Sequence, residues 1–281
     1  MLEDYLGVLD RKVIEADIHP SNSYPSEETK LLAKRKSIDT LSNLLPFSDS
    51  VVVTSEVKDP TLFLMQLGNF VLESFLLRQR GRIKASDPIS VPIKNITIQN
   101  NGQVTMREKD ENWFPVLFRG SIVYGDAEIA RSPSIIDNQI QSTQFAVGKA
   151  IVDAVRLETE KTRCPDILLD PCLVNKIQDQ SFVQIYVEAH ERYSRLLWPA
   201  FNYDPDNNFS KFSEMFCPAV KLWKHFSHLE CSDIYFNFLK LIIKSTMSVF
   251  CETPESFIKT YINNQFAELD ISSKRDALWG E

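Results

Sequence analysis

Two aspartates stand 45 residues apart near the start of the chain, in settings that suit metal chemistry. Asp4 lies in Glu3-Asp4-Tyr5-Leu6-Gly7-Val8. Asp49 lies in Pro46-Phe47-Ser48-Asp49-Ser50-Val51-Val52-Val53. A carboxylate within an apolar, β-rich run is costly to bury unless it is paired or metal-bound. Two carboxylates on adjacent strands can hold two divalent ions about 3.5–4 Å apart, which activate a hydroxyl and neutralise a triphosphate. All-oxygen ligands favour Mg2+ or Mn2+. Glu3 is the alternative ligand, but strand alternation turns it to the opposite face.

Two further motifs follow, Phe118-Arg119-Gly120-Ser121-Ile122-Val123-Tyr124-Gly125 and the segment from Val147-Gly148-Lys149 to Arg156-Leu157-Glu158. Arg156, on a predicted helix, could stabilise charge developing on a phosphate. Its plainer role is a surface pair with Glu160 at i+4. Arg119 is expected to anchor its strand or an acid. Gly120, Gly125 and Gly148 are expected to allow close backbone approach. Phe47 and Phe145 could flank a base, or serve the core as aromatics more often do.

The elements that would position these groups follow from pattern. The chain opens as the end of a strand running into a helix. Residues 16–29 read as a loop from Pro20, Ser21, Asn22, Ser23, Pro25 and Ser26. Helical spacing of Leu31, Leu32, Ile38 and Leu41 predicts a helix over 27–44, then a strand over 47–53. Pro60 opens a helix with a broad apolar stripe, ending by Gly81. Alternation on both sides of Asn101-Gly102 predicts a hairpin with a two-residue turn. A strand over 114–124 is expected, then a polar loop containing Pro133, a helix over 148–161 and a short strand over 166–169. Three helices close the chain, over 215–229, 234–251 and 256–269. Thr253-Pro254-Glu255 is the expected start of the last, with Thr253 as its cap.

Composition narrows the function classes. Net charge is −7, so no overall basic field recruits nucleic acid. A nucleotide site would need local positive charge or metal ions. No apolar run approaches the roughly 18 residues of a membrane span. The acidic start, Met1-Leu2-Glu3-Asp4, lacks a signal-peptide pattern. Five cysteines match no zinc spacing and read as reduced thiols of a cytoplasmic protein. The four histidines are scattered and read as surface or core groups.

Taken in order, these motifs resemble class III nucleotide cyclases, and most of all the bacterial antiphage pyrimidine cyclases of the Pycsar type. Asp4 and Asp49 match the family's two metal-binding aspartates, the first after strand one and the second in the next hairpin. Arg119-Gly120-Ser121-Ile122-Val123-Tyr124-Gly125 resembles the family's Arg-Gly-small-Ile strand. Gly148, Ala150, Ala154, Leu157 and Glu158 resemble its Gly-to-Leu-Glu helix, with Arg156 at the transition-state arginine. Val152 stands where many purine cyclases have asparagine, and Asp126 where some members have a phosphate-binding arginine.

The resemblance covers roughly residues 1–175. It implies an α+β fold, a ferredoxin-like mixed sheet with flanking helices, with a catalytic domain over 1–175 and a helical extension over 176–281. It also implies a homodimer whose sites lie across the interface, with Arg156 supplied by the partner subunit. UTP or CTP would be converted to a 3′,5′-cyclic monophosphate, a second messenger read by a separate effector in antiphage defence. Neither nucleic acid nor membrane is an expected partner. Two alternatives stand beside this reading. One is an inactive cyclase-like domain that binds a nucleotide or partner, favoured by the short strand before Asp4. The other is a protein whose helical extension does the work.

The base preference can be tested directly. Adenylate cyclases usually read the base with Lys and Asp, where this chain has Leu45 and Phe145. A purine's polar edge would go unpaired, at about 1–3 kcal/mol per group. UTP or CTP is therefore expected to turn over roughly tenfold faster than ATP or GTP. Preferred turnover of a purine in side-by-side assays would make the enzyme a purine cyclase instead.

Overall fold

The structure, a computed structural model, describes residues 40, 42–47, 50–76, 89–98, 104–113, 117–136, 139–161, 164–203 and 209–280. The first strands are β1 (Asn43–Phe47) and β2 (Ser50–Thr54), antiparallel, with Phe47 opposite Ser50. The single strand expected over 47–53 is therefore a hairpin. The helix expected to reach Leu44 gives way to β1 by Asn43. The run Val51-Val52-Val53 explains both changes. Its β-branched side chains favour the pleated conformation and supply a pairing partner that outweighs the helical spacing of the leucines. Asp59 caps α1 (Pro60–Leu76), accepting from the Thr61 amide at 3.0 Å and its hydroxyl at 2.7 Å. Leu64, Phe70, Val71, Leu72, Phe75 and Leu76 of α1 are buried, so the helix is enclosed on most sides.

Strands β3 (Ile89–Ile98) and β4 (Val104–Trp113) form the hairpin expected around Asn101-Gly102. A two-residue turn there would set Ile98 opposite Thr105. The observed partner is Val104, one residue away, which exchanges the faces of one strand relative to that expectation. Of the strand expected over 114–124, the described residues 117–124 hold one regular piece, β5 (Gly120–Ile122). The expected polar loop around Pro133 is a second long hairpin, β6 (Glu128–Ile136) with β7 (Gln139–Val147). Polar composition concealed it, because strands without strong apolar alternation carry little local β signal.

Helix α2 (Lys149–Lys161) leads to β8 (Ile167–Leu169). Short helices α3 (Pro171–Val174) and α4 (Gln180–Tyr186) begin under aspartate caps, Asp170 to the Cys172 amide and Asp179 to the Phe182 amide. Strands β9 (Val187–Ala189) and β10 (Ser194–Leu196) follow. They complete a four-stranded mixed sheet in the order β5-β8-β10-β9, with β5 parallel to β8 and the other pairs antiparallel. A 3-10 turn (Trp198–Asn202) then leads to α5 (Ser210–Phe226), α6 (Ser232–Val249), α7 (Glu255–Glu268) and α8 (Arg275–Trp279). Pro254, rather than Thr253, is the cap of α7, and its carbonyl accepts from the Phe257 amide at 2.9 Å. No helix among the described residues is long and apolar enough to cross a membrane.

The fold is thus α+β with a mixed sheet. Its core joins the two expected segments. Phe75 of α1, Trp198 of the 3-10 turn and Phe238 of α6 meet at ring-centroid distances of 5.0–6.3 Å. The sheet also crosses residue 175, taking β5 and β8 from one side and β9 and β10 from the other.

Gly68 lies where α1 crosses the 3-10 turn. A Cβ there would overlap the Phe201 ring, which stacks on Tyr186 at 4.4 Å and cannot yield freely. Gly68→Ala is expected to destabilise the protein by about 1–3 kcal/mol through overpacking. Gly120→Ala, with no atom within 4 Å of its Cβ position, is expected to stay within about 0.5 kcal/mol of wild type. Urea unfolding of both variants checks the contrast.

Candidate functional site

Helix α2 lies on β5 in three steps. Gly125 meets Ala150, whose Cβ is 3.3 Å from the position of an added Cβ. The Ser121 hydroxyl donates to the Ala154 carbonyl at 2.5 Å. The Arg119 guanidinium pairs with Glu158 at 2.9 Å. Between Ser121 and Arg119 the steps match, because four helical residues rise about 6 Å and two strand residues about 6.6 Å, while Gly125 lies four residues from Ser121, past the end of β5. Ala150, Ala154 and Glu158 therefore form one inner stripe on the strand and its continuation. Arg119 has the anchoring role expected of it.

The glycines differ from one another. Gly148 has φ +137°, and a Cβ there would lie 2.6 Å from the Asp126 carbonyl oxygen. Only glycine fits this junction. Gly125 is close-packed, as expected. Gly120 has open space around its Cβ position, which corrects the expectation of close approach there.

The other side of α2 faces outward. Val152, Val155, Arg156 and Thr159 are exposed and follow i, i+3, i+4, i+7 spacing, a single stripe. Val155 is 60% exposed. Arg156 has no ion-pair partner among the described residues. Phe145 lies on β7 opposite Ala130 and is exposed, as is Val147 on the same strand face. Phe47 ends β1, and nearby Leu45 is buried. Asp4 and Asp49 lie outside the described residues, the latter between β1 and β2 in sequence. Among the described residues, no three His, Cys, Asp or Glu side chains converge as a metal site.

An ion cluster that sequence pattern did not reveal lies on the same sheet. Arg195, at the middle of β10, donates to Glu188 of β9 at 2.5 and 3.0 Å and to Asp166 at 3.2 Å. Lys244 of α6 pairs with the other Glu188 oxygen at 3.2 Å, and His190 lies 3.5 Å from this carboxylate. Burial opposes ionisation of Glu188, but Arg195 and then Lys244 outweigh it and hold its pKa below the ordinary value. Burial likewise opposes the charge on Arg195, and Asp166 with Glu188 reverses that. Cys164 sits beside this cluster. Burial, reinforced by Asp166, pushes its thiol well above the usual range, so it is a protonated core group rather than a nucleophile. Glu188 and Arg195 are cross-strand partners of β9 and β10. Asp166 and Lys244 come from distant segments, and only the fold unites them.

Comparison with protein-family models, curated proteins and solved structures finds no match to this chain.

The Glu188 cluster makes a pH prediction. A carboxylate with a depressed folded pKa stabilises the fold above its unfolded pKa. That contribution fades as pH falls through the folded value. Glu188→Gln is therefore expected to cost about 1–3 kcal/mol at pH 7. The gap to wild type should hold down to about the ordinary value of 4.5 and narrow below it. Denaturant unfolding of both proteins across this range measures the gap.

Proposed function

We propose that the protein is a nucleotide cyclase of the class III type that converts UTP or CTP to a 3′,5′-cyclic monophosphate and pyrophosphate. The observation that carries this reading is the β5-α2-β8 unit. There the Arg119–Gly125 and Gly148–Glu158 motifs meet residue by residue, and Arg156 is left on the outward stripe. The hairpin of β1 and β2 around residues 48 and 49 also suits the position expected for the second aspartate.

The chemistry is an in-line displacement in which the ribose 3′-oxygen bonds to the α-phosphorus and pyrophosphate leaves. Asp4 and Asp49 supply the oxygen ligands that Mg2+ or Mn2+ take. Such ions, when bound, lower the pKa of the attacking hydroxyl and neutralise the phosphates. Arg156 faces away from its own β5, so it acts on the site of a second subunit and stabilises charge developing at the α-phosphate. Two-fold symmetry then gives a homodimer two equivalent sites. Of Phe47 and Phe145, one covers a face of the base, and Leu45 offers it no polar partner. The product acts in the cytoplasm as a second messenger for a separate antiphage effector.

Incubation with each NTP and Mn2+, followed by chromatography, tests the activity. A cyclic uridylate or cytidylate product is expected, and Asp49→Asn is expected to remove it. The shared site has its own test. Asp49→Ala and Arg156→Ala should each be inactive, and mixed dimers should regain part of the activity because one site of each is intact. Absence of recovery in verified mixed dimers would reject the interfacial site. A folded, metal-loaded dimer that converts none of the four nucleotides would reject the cyclase and leave the inactive-domain reading.

A further inference from the structure

The two parallel strands of the sheet end side by side. The Asp170 amide donates to the Ile122 carbonyl at 2.9 Å, the last link between them. Beyond it the chain from β5 leaves through Tyr124 and Gly125 toward β6, and the chain from β8 leaves through α3 to Lys176. In open α/β sheets, ligands bind outside the carboxyl ends of parallel strands where neighbouring connections run apart, and β5 with β8 is the parallel pair of this mixed sheet.

Tyr124 and Lys176 bridge that divergence. The Lys176 ammonium lies 5.3 Å from the Tyr124 ring centroid. Its backbone is fixed, since its amide donates to the Leu173 carbonyl at 2.9 Å and Ile177 beside it is buried. Tyr124 is 51% exposed, so the lysine does not enclose it. Neither Lys176 nor Lys149, which opens α2 beside this corner, has a carboxylate partner among the described residues. Two acids lie near in sequence. Asp170 is committed to the Cys172 amide at 3.0 Å, and Asp126 is exposed. In a chain of net charge −7, unmatched lysines beside an open aromatic ring form local positive charge of the kind a nucleotide needs.

We propose that Tyr124 and Lys176 form a contact site for a nucleoside triphosphate, with the base stacked on the tyrosine ring and the lysine paired with the phosphates. This inference rests on the cyclase reading and adds these two residues to it. Aromatic stacking tolerates any base, and a lysine meets phosphate as a point charge. The pair therefore contributes affinity rather than base choice.

Calorimetry with the full chain and Mg2+ tests it, using UTP and inorganic tripolyphosphate as probes. Lys176→Ala is expected to weaken both probes by roughly tenfold, and Lys176→Arg to restore most of the loss. Tyr124→Ala should weaken UTP by roughly tenfold and leave tripolyphosphate unchanged, while Tyr124→Phe should bind UTP as wild type does. Wild-type affinity for both probes in Lys176→Ala and Tyr124→Ala would overturn the proposal, as would a folded wild-type protein that binds neither. Failure of the cyclase reading looks different. Bound UTP would then be recovered unchanged while the affinity losses persist. Full kcat/KM for UTP in both alanine variants would overturn the contact site and leave the cyclase intact.

Discussion

The burial of Trp198 governs how the two ends of the chain meet. The residue is 0% exposed and its ring packs against both Phe75 of α1 and Phe238 of α6, which also touch each other. An indole N–H in such a place must find an acceptor or forfeit its solvation. It finds the Pro165 carbonyl at 2.8 Å. That bond fixes the approach to β8, because Pro165 directly precedes Asp166. The Asp166 carbonyl in turn accepts from the Gly120 amide at 2.9 Å, which sets β5 beside β8. Helix α2 rests on β5. The placement of Arg156 therefore depends on an apolar contact made by residues far from it in sequence.

Arg195 ties the same sheet by a different force. Magnitudes separate the two roles. Truncating a buried Trp or Phe costs about 3–5 kcal/mol. A buried ion pair often roughly breaks even against a well-packed apolar substitute. The aromatic cluster thus dominates stability, and the ion cluster acts chiefly on register. Arg195 lies opposite Glu188 on one side and Leu168 on the other. A slip of one residue would turn it to the opposite face of the sheet, away from both acids. The sheet strands are only three residues each, so backbone pairing alone specifies their register weakly.

Pattern served best where one helix or strand carries its own signal. Pro60 after Asp59, the apolar stripe of α1 and the three long C-terminal helices were legible because capping and 3.6-residue periodicity are local. The β6–β7 hairpin was not, since Arg131-Ser132-Pro133-Ser134 reads as loop by composition and becomes strand only through its pairing with 141–144. The β1 boundary failed similarly, because leucine spacing favoured helix and the partner valines lie beyond the turn. Of the candidate site, the inner contacts of Gly125, Gly148 and Arg119 were foreseen from residue type. Tyr124 with Lys176, and Arg195 with Asp166 and Lys244, unite residues from separate elements. No periodicity encodes such meetings. Asp4 and Asp49 lie outside the described residues, so their pairing rests on spacing and resemblance.

The two arginines of the β5–α2 unit illustrate how far geometry can separate roles. Arg119 is engaged, at 2.9 Å from Glu158, in a largely exposed link between strand and helix. Arg156 is exposed and unengaged among the described residues. Exposure alone argues nothing for a charged side chain, and neither does a single exposed valine. The combination is more informative. Val152, Val155 and Arg156 share one stripe, while Ala150 and Ala154 of the same helix face the strand motif. A helix with one face already satisfied by its own sheet gains nothing within the subunit from valines on the other. In the proposed homodimer those valines would be buried against the second subunit, and the arginine set among them would have its charge available to a group on the other side.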